Sequence, residues 1–195
     1  MDRSSPVRRR TGRALRLVVM LAMVVALVPL VAAPASAATT YYVDPTGGSN
    51  AAAGTSETTA WKTITYAMTE ASAGDTVVAL PGTYSTASGE VFELELTPGV
   101  TLKSKSGPTQ TTIDLTGGPL RHIAMTNPIA GSALVGFTIT GGNTSGGAMG
   151  IGSNSSATGA YPGWPRIVGN VFRDNLGGSG GAIEIYGASP THLFE

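Results

Sequence analysis

Residues 54–84 constrain the fold of this chain more than any other segment, because a helical spacing there leads directly into a strand pattern. The apolar residues at positions i, i+3, i+4 and i+7 of this segment are Ile64, Ala67, Met68 and Ala71. That spacing predicts a helix over residues 63–73 with one buried face. Gly74 is expected to end the helix in a left-handed conformation, and an apolar strand is predicted over residues 76–80. The segment therefore predicts a short helix that packs on the start of a sheet.

Residues 1–37 have the pattern of an export signal. Six arginines lie between positions 3 and 16, an apolar run covers positions 17–31, and Ala35-Ser36-Ala37 has the small-x-small form of a cleavage site. The apolar run is shorter than a typical membrane-spanning segment. We expect a signal peptide at residues 1–37 and a secreted or cell-surface protein. A retained N-terminal anchor is the alternative, and membrane contact would then come only through this uncleaved segment.

The charge of the remaining chain excludes one class of partner. Residues 38–195 contain 6 Lys and Arg against 11 Asp and Glu, a net charge of −5. Nucleic-acid binding needs a basic surface, so no nucleic-acid partner is expected. Acidic polysaccharide is disfavoured too unless a divalent cation bridges it to the protein. The chain has no cysteine, so an exported form must be held by its core or by ions.

Short runs of alternating apolar and polar residues follow the predicted helix at regular, short intervals. These runs are residues 91–96, 100–103, 112–115, 133–140 and 183–185. In the fourth run we expect Val135, Phe137 and Ile139 to point inward from a single strand. Alternation this short and this frequent predicts an all-β architecture.

An internal repeat distinguishes a solenoid from a sandwich. Residues 135–139 recur at 168–172, and residues 146–149 recur at 180–183, with nearly the same offset. A shorter echo links residues 115–118 to 139–142. Units too small to bury their own apolar face indicate stacked coils. An immunoglobulin-like sandwich stays open as the alternative, but it does not explain the repeated Gly-Gly-Ala.

The helix, the Gly74-Asp75 turn and the following strand together resemble the N-terminal cap of secreted right-handed parallel β-helices. The segment is similar to the family of unknown function DUF1565, within the pectin-lyase-like superfamily. This resemblance implies a right-handed parallel β-helix of three to four coils with a short N-terminal capping helix. The boundaries expected are a strand, loop and capping helix over residues 38–74 and coils over residues 75–195.

A second resemblance lies in the last third of the chain. Residues 172–175, Phe-Arg-Asp-Asn, followed by Gly-Gly-Ala-Ile at residues 180–183, are similar to the repeat of polymorphic outer-membrane proteins. That similarity implies a surface-exposed solenoid. Residues 187–195 follow the last recognisable strand; we expect them to leave Leu193 and Phe194 exposed and to be too few to cover a coil end. We therefore expect a truncated member that self-associates end to end.

Residues with acid, base or cationic chemistry do not form a recognisable catalytic motif. The outward-leaning candidates are Asp114, Arg121, Arg173, Asp174 and Glu184, with His122 beside them. Polysaccharide elimination needs an Arg or Lys base, and glycoside hydrolysis needs two carboxylates at a set separation. Surface solvation explains these residues more simply, so the catalytic residues are unknown and this chain is expected not to be an enzyme.

No cofactor or metal is expected, although calcium stays open as an alternative. Relatives with this N-terminal pattern commonly carry Gly-x-Asp where this chain has Gly48-Ser49-Asn50, so a cation site around Asp44, Asn50 and Glu57 would lack one carboxylate. Asp75 is expected to accept hydrogen bonds from backbone N–H groups at its turn. The same structural role is expected for Asn170 and Asn175 at later turns.

Two functions from different classes follow from the sequence. The favoured one is a secreted or cell-surface module that binds extracellular polysaccharide or cell-wall glycan through exposed aromatic side chains. The candidate carbohydrate-binding residues are Tyr161, Trp164 and Tyr186. The alternative is a fragment of a polysaccharide lyase, hydrolase or epimerase of the pectin-lyase-like superfamily, which rests on the resemblance in fold.

Overall fold

The computed structural model describes residues 37–118, 120, 122–144, 147–152, 163–177 and 181–186. These residues contain one α-helix, two short 3-10 helices and fifteen strands. Every strand pairing among them is parallel. The protein is therefore an all-β parallel solenoid, as the repeats predict, and the sandwich alternative is wrong.

The strands follow one another in successive coils. β1 (Thr40–Val43), a 3-10 turn (Glu57–Thr59) and α1 (Ile64–Glu70) precede the first complete coil. Coil 1 contains β2 (Thr76–Ala79), β3 (Gly82–Tyr84), a 3-10 turn (Thr86–Ser88) and β4 (Leu94–Glu95). Coil 2 contains β5 (Thr101–Ser104), β6 (Thr111–Asp114) and β7 (Ile123–Thr126). Coil 3 contains β8 (Ala133–Val135), β9 (Thr138–Thr140), β10 (Asn143–Thr144) and β11 (Met149–Gly152). Coil 4 contains β12 (Arg166–Val168), β13 (Val171–Phe172), β14 (Leu176–Gly177) and β15 (Ile183–Tyr186).

Each coil adds one strand to each of three sheets. The first sheet has the order β1-β2-β5-β8-β12, the second β3-β6-β9-β13 and the third β4-β7-β11-β15, while β10 and β14 form a separate pair. Less chain separates Thr76 from its partner Thr101 than separates Met149 from its partner Ile183. Coil length thus varies while register is kept, because extra residues enter the turns between strands.

One apolar core runs along the inside of the three sheets. Its fully buried members include Val77, Leu102 and Leu134 from the first sheet, Tyr84, Ile113 and Ile139 from the second, and Leu94, Ile123 and Met149 from the third. The alternation predicted for residues 91–96 is confirmed, although only Leu94–Glu95 pairs as a strand. Each coil is too small to bury this apolar surface alone, so the stacking of coils provides the core.

The helix α1 closes the N-terminal end of this core. Ile64, Ala67 and Met68 are buried as the spacing predicts, and the N-cap Thr63 side chain accepts a hydrogen bond from the Tyr66 N–H. The helix ends at Glu70, earlier than predicted, because the backbone of the C-cap residue is already extended. The left-handed glycine predicted to stop it, with φ of 97°, instead lies in the following turn.

A buried carboxylate completes the N-terminus of α1. Glu90, only 4% exposed, accepts hydrogen bonds from the N–H of Ile64 at 2.6 Å, the N–H of Thr65 at 2.9 Å and the hydroxyl of Thr65. Burial raises the pKa of Glu90 above its usual value, although these three donors favour the ionised form. The loop between β3 and β4 is thereby fastened to the capping helix.

Polar side chains at the corners connect consecutive coils. Asp75 accepts from the N–H of Thr39 at 2.8 Å and of Ser72 at 2.9 Å, which confirms its predicted structural role. Asn170 accepts from the N–H of Phe137 and donates to the carbonyl of Leu134. Asn175 makes the equivalent pair of bonds to Gly142 and Ile139, and Ser132 accepts from the Gly99 N–H. Each corner side chain satisfies backbone groups of a neighbouring segment.

Two details of register differ from the sequence-based expectation. The run 133–140 is not one strand, because Gly136 (φ of 79°) turns the chain from the first sheet into the second. Leu134 therefore points into the core and Val135 does not, whereas Phe137 and Ile139 are buried as expected.

The two longer repeats match the observed pairing of β8 with β12 and of β11 with β15. The shorter echo, which aligns residue 115 with residue 139, does not, since Ile139 pairs with Ile113.

Candidate functional site

The three predicted sugar-stacking aromatics fall in different parts of the last coil. Tyr161 lies outside the described residues. Trp164 is half-buried in the segment before β12, next to Gly163, which packs closely on the backbone of Ala130. Tyr186 is the last residue of β15 and is also half-buried. Of the three, Tyr186 is the residue whose ring contacts other named groups of the third sheet.

The outer face of the third sheet carries the groups around Tyr186. The inward residues of its strands alternate with outward ones, which are Glu95 on β4, Ala124 and Thr126 on β7, Gly150 and Gly152 on β11, and Glu184 and Tyr186 on β15. The strand β11 therefore presents two glycines between neighbouring strands that carry larger side chains. We call Gly150 and Gly152 the glycine trough.

Two rings lie directly over the glycine trough. A Cβ atom on Gly152 would come within 2.6 Å of Cδ2 of Tyr186, and one on Gly150 would come within 2.6 Å of Nε2 of His122 and 3.2 Å of Cε1 of Tyr186. Only glycine fits at either position without displacing a ring. A strand glycine of this kind marks a place where another group approaches the backbone closely.

His122 has a defined tautomer when its imidazole is neutral. Its Nδ1 lies 3.1 Å from the carbonyl oxygen of Gly147. Since a carbonyl can only accept, Nδ1 carries the proton in that hydrogen bond. In the neutral ring Nε2, the atom next to Gly150, is then a hydrogen-bond acceptor.

The acidic side chains of this face are not arranged as a catalytic pair. Glu95 accepts hydrogen bonds from the N–H of Thr126 at 3.0 Å and from its hydroxyl at 3.2 Å. Glu184 lies in the same column, but Ala124 and Gly150 stand between the two glutamates. With neighbouring strands about 4.8 Å apart, their Cα atoms are about 14 Å apart.

The other acid and base candidates lie on different faces. Asp114 is at the end of β6 in the second sheet, where it accepts from the Thr116 N–H. Arg173 forms an exposed ion pair with Asp174 at 3.0 Å, at the corner after β13. Asp174 and Glu184 both belong to coil 4, the first at the corner after β13 and the second on β15. Arg121 lies outside the described residues.

The residues considered for an N-terminal cation site are engaged separately. Asp44 accepts from the N–H groups of Thr46 and Gly47, as in an Asx turn. Asn50 accepts from the N–H groups of Lys62 and Thr63, and Glu57 pairs with Lys105. Within the described ranges, no cluster of three Asp, Glu or His side chains could hold a metal ion.

The sequence named Tyr186 and, separately, His122 as candidates, but it did not single out the two glycines beneath their rings. The signal available was the Gly-Ile-Gly run at residues 150–152, because glycine at two outward positions of one strand is unusual. His122 could not be connected to this run without the stacking register, which places the strands of coils 2 and 3 side by side.

The comparisons with known proteins concern the N-terminal half of the solenoid. Residues 46–131 match the model of a family described as "Protein of unknown function (DUF1565)". No curated protein matches the chain significantly, and no solved structure does. The matched residues extend from the turn after β1 to the corner before β8, so the glycine trough and Tyr186 lie beyond them. The capping helix and coils 1 and 2 are thus similar to the DUF1565 family.

Proposed function

We propose that this chain is a secreted or cell-surface β-helix module that binds extracellular glycan and does not convert it. The observation that carries the proposal is the half-buried ring of Tyr186 beside two glycines that leave the backbone of β11 uncovered by side chains of its own. The part of the Tyr186 ring that stays exposed can pack against the apolar face of a sugar ring.

Polar groups around the glycine trough suit hydroxyl-rich ligands. The Glu184 carboxylate accepts hydrogen bonds, and the Thr126 hydroxyl, whose proton is donated to Glu95, can still accept one. Small-molecule and sugar sites characteristically combine an apolar surface with a few polar groups of this kind. The net negative charge of residues 38–195 favours a neutral glycan over a polyuronate, because carboxylates on the two partners would repel each other.

Secretion is part of the proposal and is supported by the sequence of residues 1–37. Within the described part of the chain, no helix has the length and apolar character needed to cross a membrane. Detection of the chain in culture medium, with an N-terminus at residue 38, is the measurement that checks export and cleavage.

A glycan array probed with the purified chain tests the binding function. We expect binding to neutral glycans, and Tyr186→Ala should weaken it by about threefold to tenfold, since an aromatic contact is worth about 0.5–1.5 kcal/mol. Tyr42→Ala is the matched control, because Tyr42 is a half-buried tyrosine on β1 of the first sheet. Equal losses in both variants would contradict a site at Tyr186.

An ultraviolet assay for unsaturated uronates, run on the same preparation, tests the enzymatic alternative. We expect no product, because Arg173 is paired with Asp174, and because Glu95 and Glu184, which share a face, are about 14 Å apart. Sustained product formation that Arg173→Ala abolishes would replace the binding proposal with a lyase.

A further inference from the structure

Asp75 is a buried carboxylate without a cationic side chain beside it in the described part of the chain. It is 9% exposed and accepts hydrogen bonds from the N–H groups of Thr39 at 2.8 Å and Ser72 at 2.9 Å. The two ion pairs between described side chains involve other residues. A carboxylate has about four acceptor positions, so Asp75 can accept further hydrogen bonds. A buried charge gains most from a partner of opposite sign.

The other buried carboxylate, Glu90, has its charge better supported. Glu90 accepts three hydrogen bonds, two of them from N–H groups in the first turn of α1. The N-terminus of a helix favours an anion. Asp75 accepts one bond fewer and has no such support, since α1 has already ended at Glu70. Of the two, Asp75 is the carboxylate to which an added positive charge offers more.

The expected export cleavage produces a positive charge close to Asp75. Thr39 is the first residue anchored at both backbone groups, because its N–H donates to Asp75 and its carbonyl accepts from the Thr76 N–H at 2.9 Å. Ala37 and Ala38 are exposed and precede β1. The Ala38 nitrogen is three covalent bonds from the Thr39 nitrogen and so lies within about 4 Å of it. The cleavage site expected from the sequence is therefore one residue outside the first anchored residue.

We propose that Asp75 binds the α-ammonium group that cleavage after Ala37 frees on Ala38. The inference rests on the export and cleavage proposed above. Water adds across the peptide bond between the two alanines, which leaves a carboxylate on the released segment and an ammonium with three donors on Ala38. Cleavage also removes the bond from the Thr39 hydroxyl to the Ala37 carbonyl, but at 3.4 Å that exposed bond is weak. Processing thus adds an ion pair that the precursor cannot form, and the cleaved chain is the more stable form.

Acetylation of the α-amine of the secreted, cleaved protein tests the ion pair. At neutral pH acetic anhydride reacts with an α-amine in preference to lysine, because the ordinary pKa is about 7.7–8.0 for the first and about 10.4 for the second. Acetylation should raise the equilibrium constant of unfolding in urea by about twofold to fivefold, the size typical of a partly exposed ion pair. Sodium chloride at about 1 M should remove most of this difference by screening.

Asp75→Asn shows whether the acetylation effect passes through this carboxylate. In that variant acetylation should change the unfolding constant by less than about 1.5-fold, because the ammonium has lost its charged partner. Asp114→Asn is the matched control, since Asp114 also accepts a backbone N–H but lies in the second sheet. Acetylation should destabilise that variant as much as it destabilises the unaltered protein.

The amide of Ser72 gives a measurement that does not depend on the folding of a variant. Its N–H donates to Asp75, although it is far from residue 38 in the sequence. In NMR spectra of the unaltered protein, acetylation should shift the Ser72 amide resonance and leave that of Thr116, which donates to Asp114, in place. An unmoved Ser72 resonance would overturn the ion pair. So would equal effects of acetylation in the unaltered protein and in Asp75→Asn, and both results would leave the export proposal intact. A secreted chain whose N-terminus is not residue 38 would instead contradict the cleavage site and this inference together.

Discussion

The edge of the parallel sheets is covered at the N-terminal end of the described solenoid and less covered at coil 4. At the N-terminal end, backbone groups of Gly54 and Trp61 bond to the edge of β1, and α1 covers the core. At the other end, coil 4 is fastened to coil 3 by the side chains of Asn170 and Asn175, while its core residues stay partly exposed. Within the described residues, the edge of the first sheet is therefore blocked at β1, whereas the core of coil 4 is only partly covered.

The comparison also predicts where the chain is stable. A residue in coils 1 to 3 has a neighbouring layer on both sides, whereas a residue in coil 4 has one described neighbour. In a repeat protein, stability is approximately the sum of the units and their interfaces, so coil 4 should open first. A fully buried residue of coil 3 and an exposed residue of coil 4 give the two extremes of this gradient.

The largest difference is expected between Phe137→Asp and Val168→Asp. Phe137 is fully buried, and an unpaired charge there should cost several kcal/mol and unfold a domain of ordinary stability. Val168 is 44% exposed, so its substitution should change stability by less than about 0.5 kcal/mol. Urea unfolding followed by circular dichroism measures both. A folded Phe137→Asp protein would show that the core is looser than the structure indicates.

The sequence predicted the fold well because the fold depends on local patterns that repeat. The spacing of Ile64, Ala67 and Met68 identified α1, and the recurrence of Val-Gly at residues 135–136 and 168–169 matches the pairing of β8 with β12. The exact register of the run 133–140 was missed, because alternation does not reveal that Gly136 forms a corner. The corner interrupts the alternation, so Leu134 and not Val135 faces inward before Gly136, while Phe137 and Ile139 face inward after it.

Removal of the buried Glu90 side chain that caps α1 should cause the next largest loss of stability. Glu90→Ala removes the acceptor for the Ile64 and Thr65 N–H groups, and buried donors without partners cost about 1–3 kcal/mol. Glu95→Ala is the control, since Glu95 also accepts from a threonine N–H and hydroxyl but is exposed to water. Thermal unfolding should show a clear loss for the first variant and little change for the second. Similar losses in both variants would mean that the burial of Glu90 does not increase its contribution to stability.

The candidate site was less predictable than the fold. Tyr186 was identified by residue type alone, but its contact with Gly152 and the approach of His122 to Gly150 depend on long-range stacking. Glu90 likewise caps a helix that begins far earlier in the chain, and no local motif signals it. Contacts between coils are set by turn lengths, which vary from coil to coil and are not readable from periodicity.

Ionisation of the buried Tyr84 should lower the free energy of unfolding at alkaline pH. The Tyr84 hydroxyl lies 2.9 Å from the Val43 carbonyl and 3.0 Å from the Leu80 carbonyl and donates to them. Burial raises the pKa of Tyr84 above its usual value of about 10. Because the folded-state pKa is the higher one, its contribution is complete below about pH 10 and is lost as the pH rises further.

Tyr84→Phe should therefore cost about 1 kcal/mol at neutral pH and flatten the alkaline loss of stability. Urea unfolding at neutral pH and above about pH 10 measures both effects. Absorbance of tyrosinate during the titration provides the independent check, since Tyr84 should ionise only when the protein unfolds. An unchanged alkaline slope in Tyr84→Phe would show that another group controls it.

The smallest loss of stability is expected when the hydrogen bonds of Asn170 between coils 3 and 4 are removed. Asn170 accepts from the Phe137 N–H at 2.9 Å and donates to the Leu134 carbonyl at 2.8 Å. Asn170→Ala removes both bonds, so the Phe137 amide should exchange with solvent faster while global stability falls by about 1 kcal/mol or less. Asn170→Asp keeps the acceptor and loses only the donor, so the Phe137 amide should stay protected in that variant. Hydrogen exchange followed by NMR measures the exchange rate of the Phe137 amide by itself. Faster exchange spread evenly over all coils would contradict a solenoid whose last coil opens first.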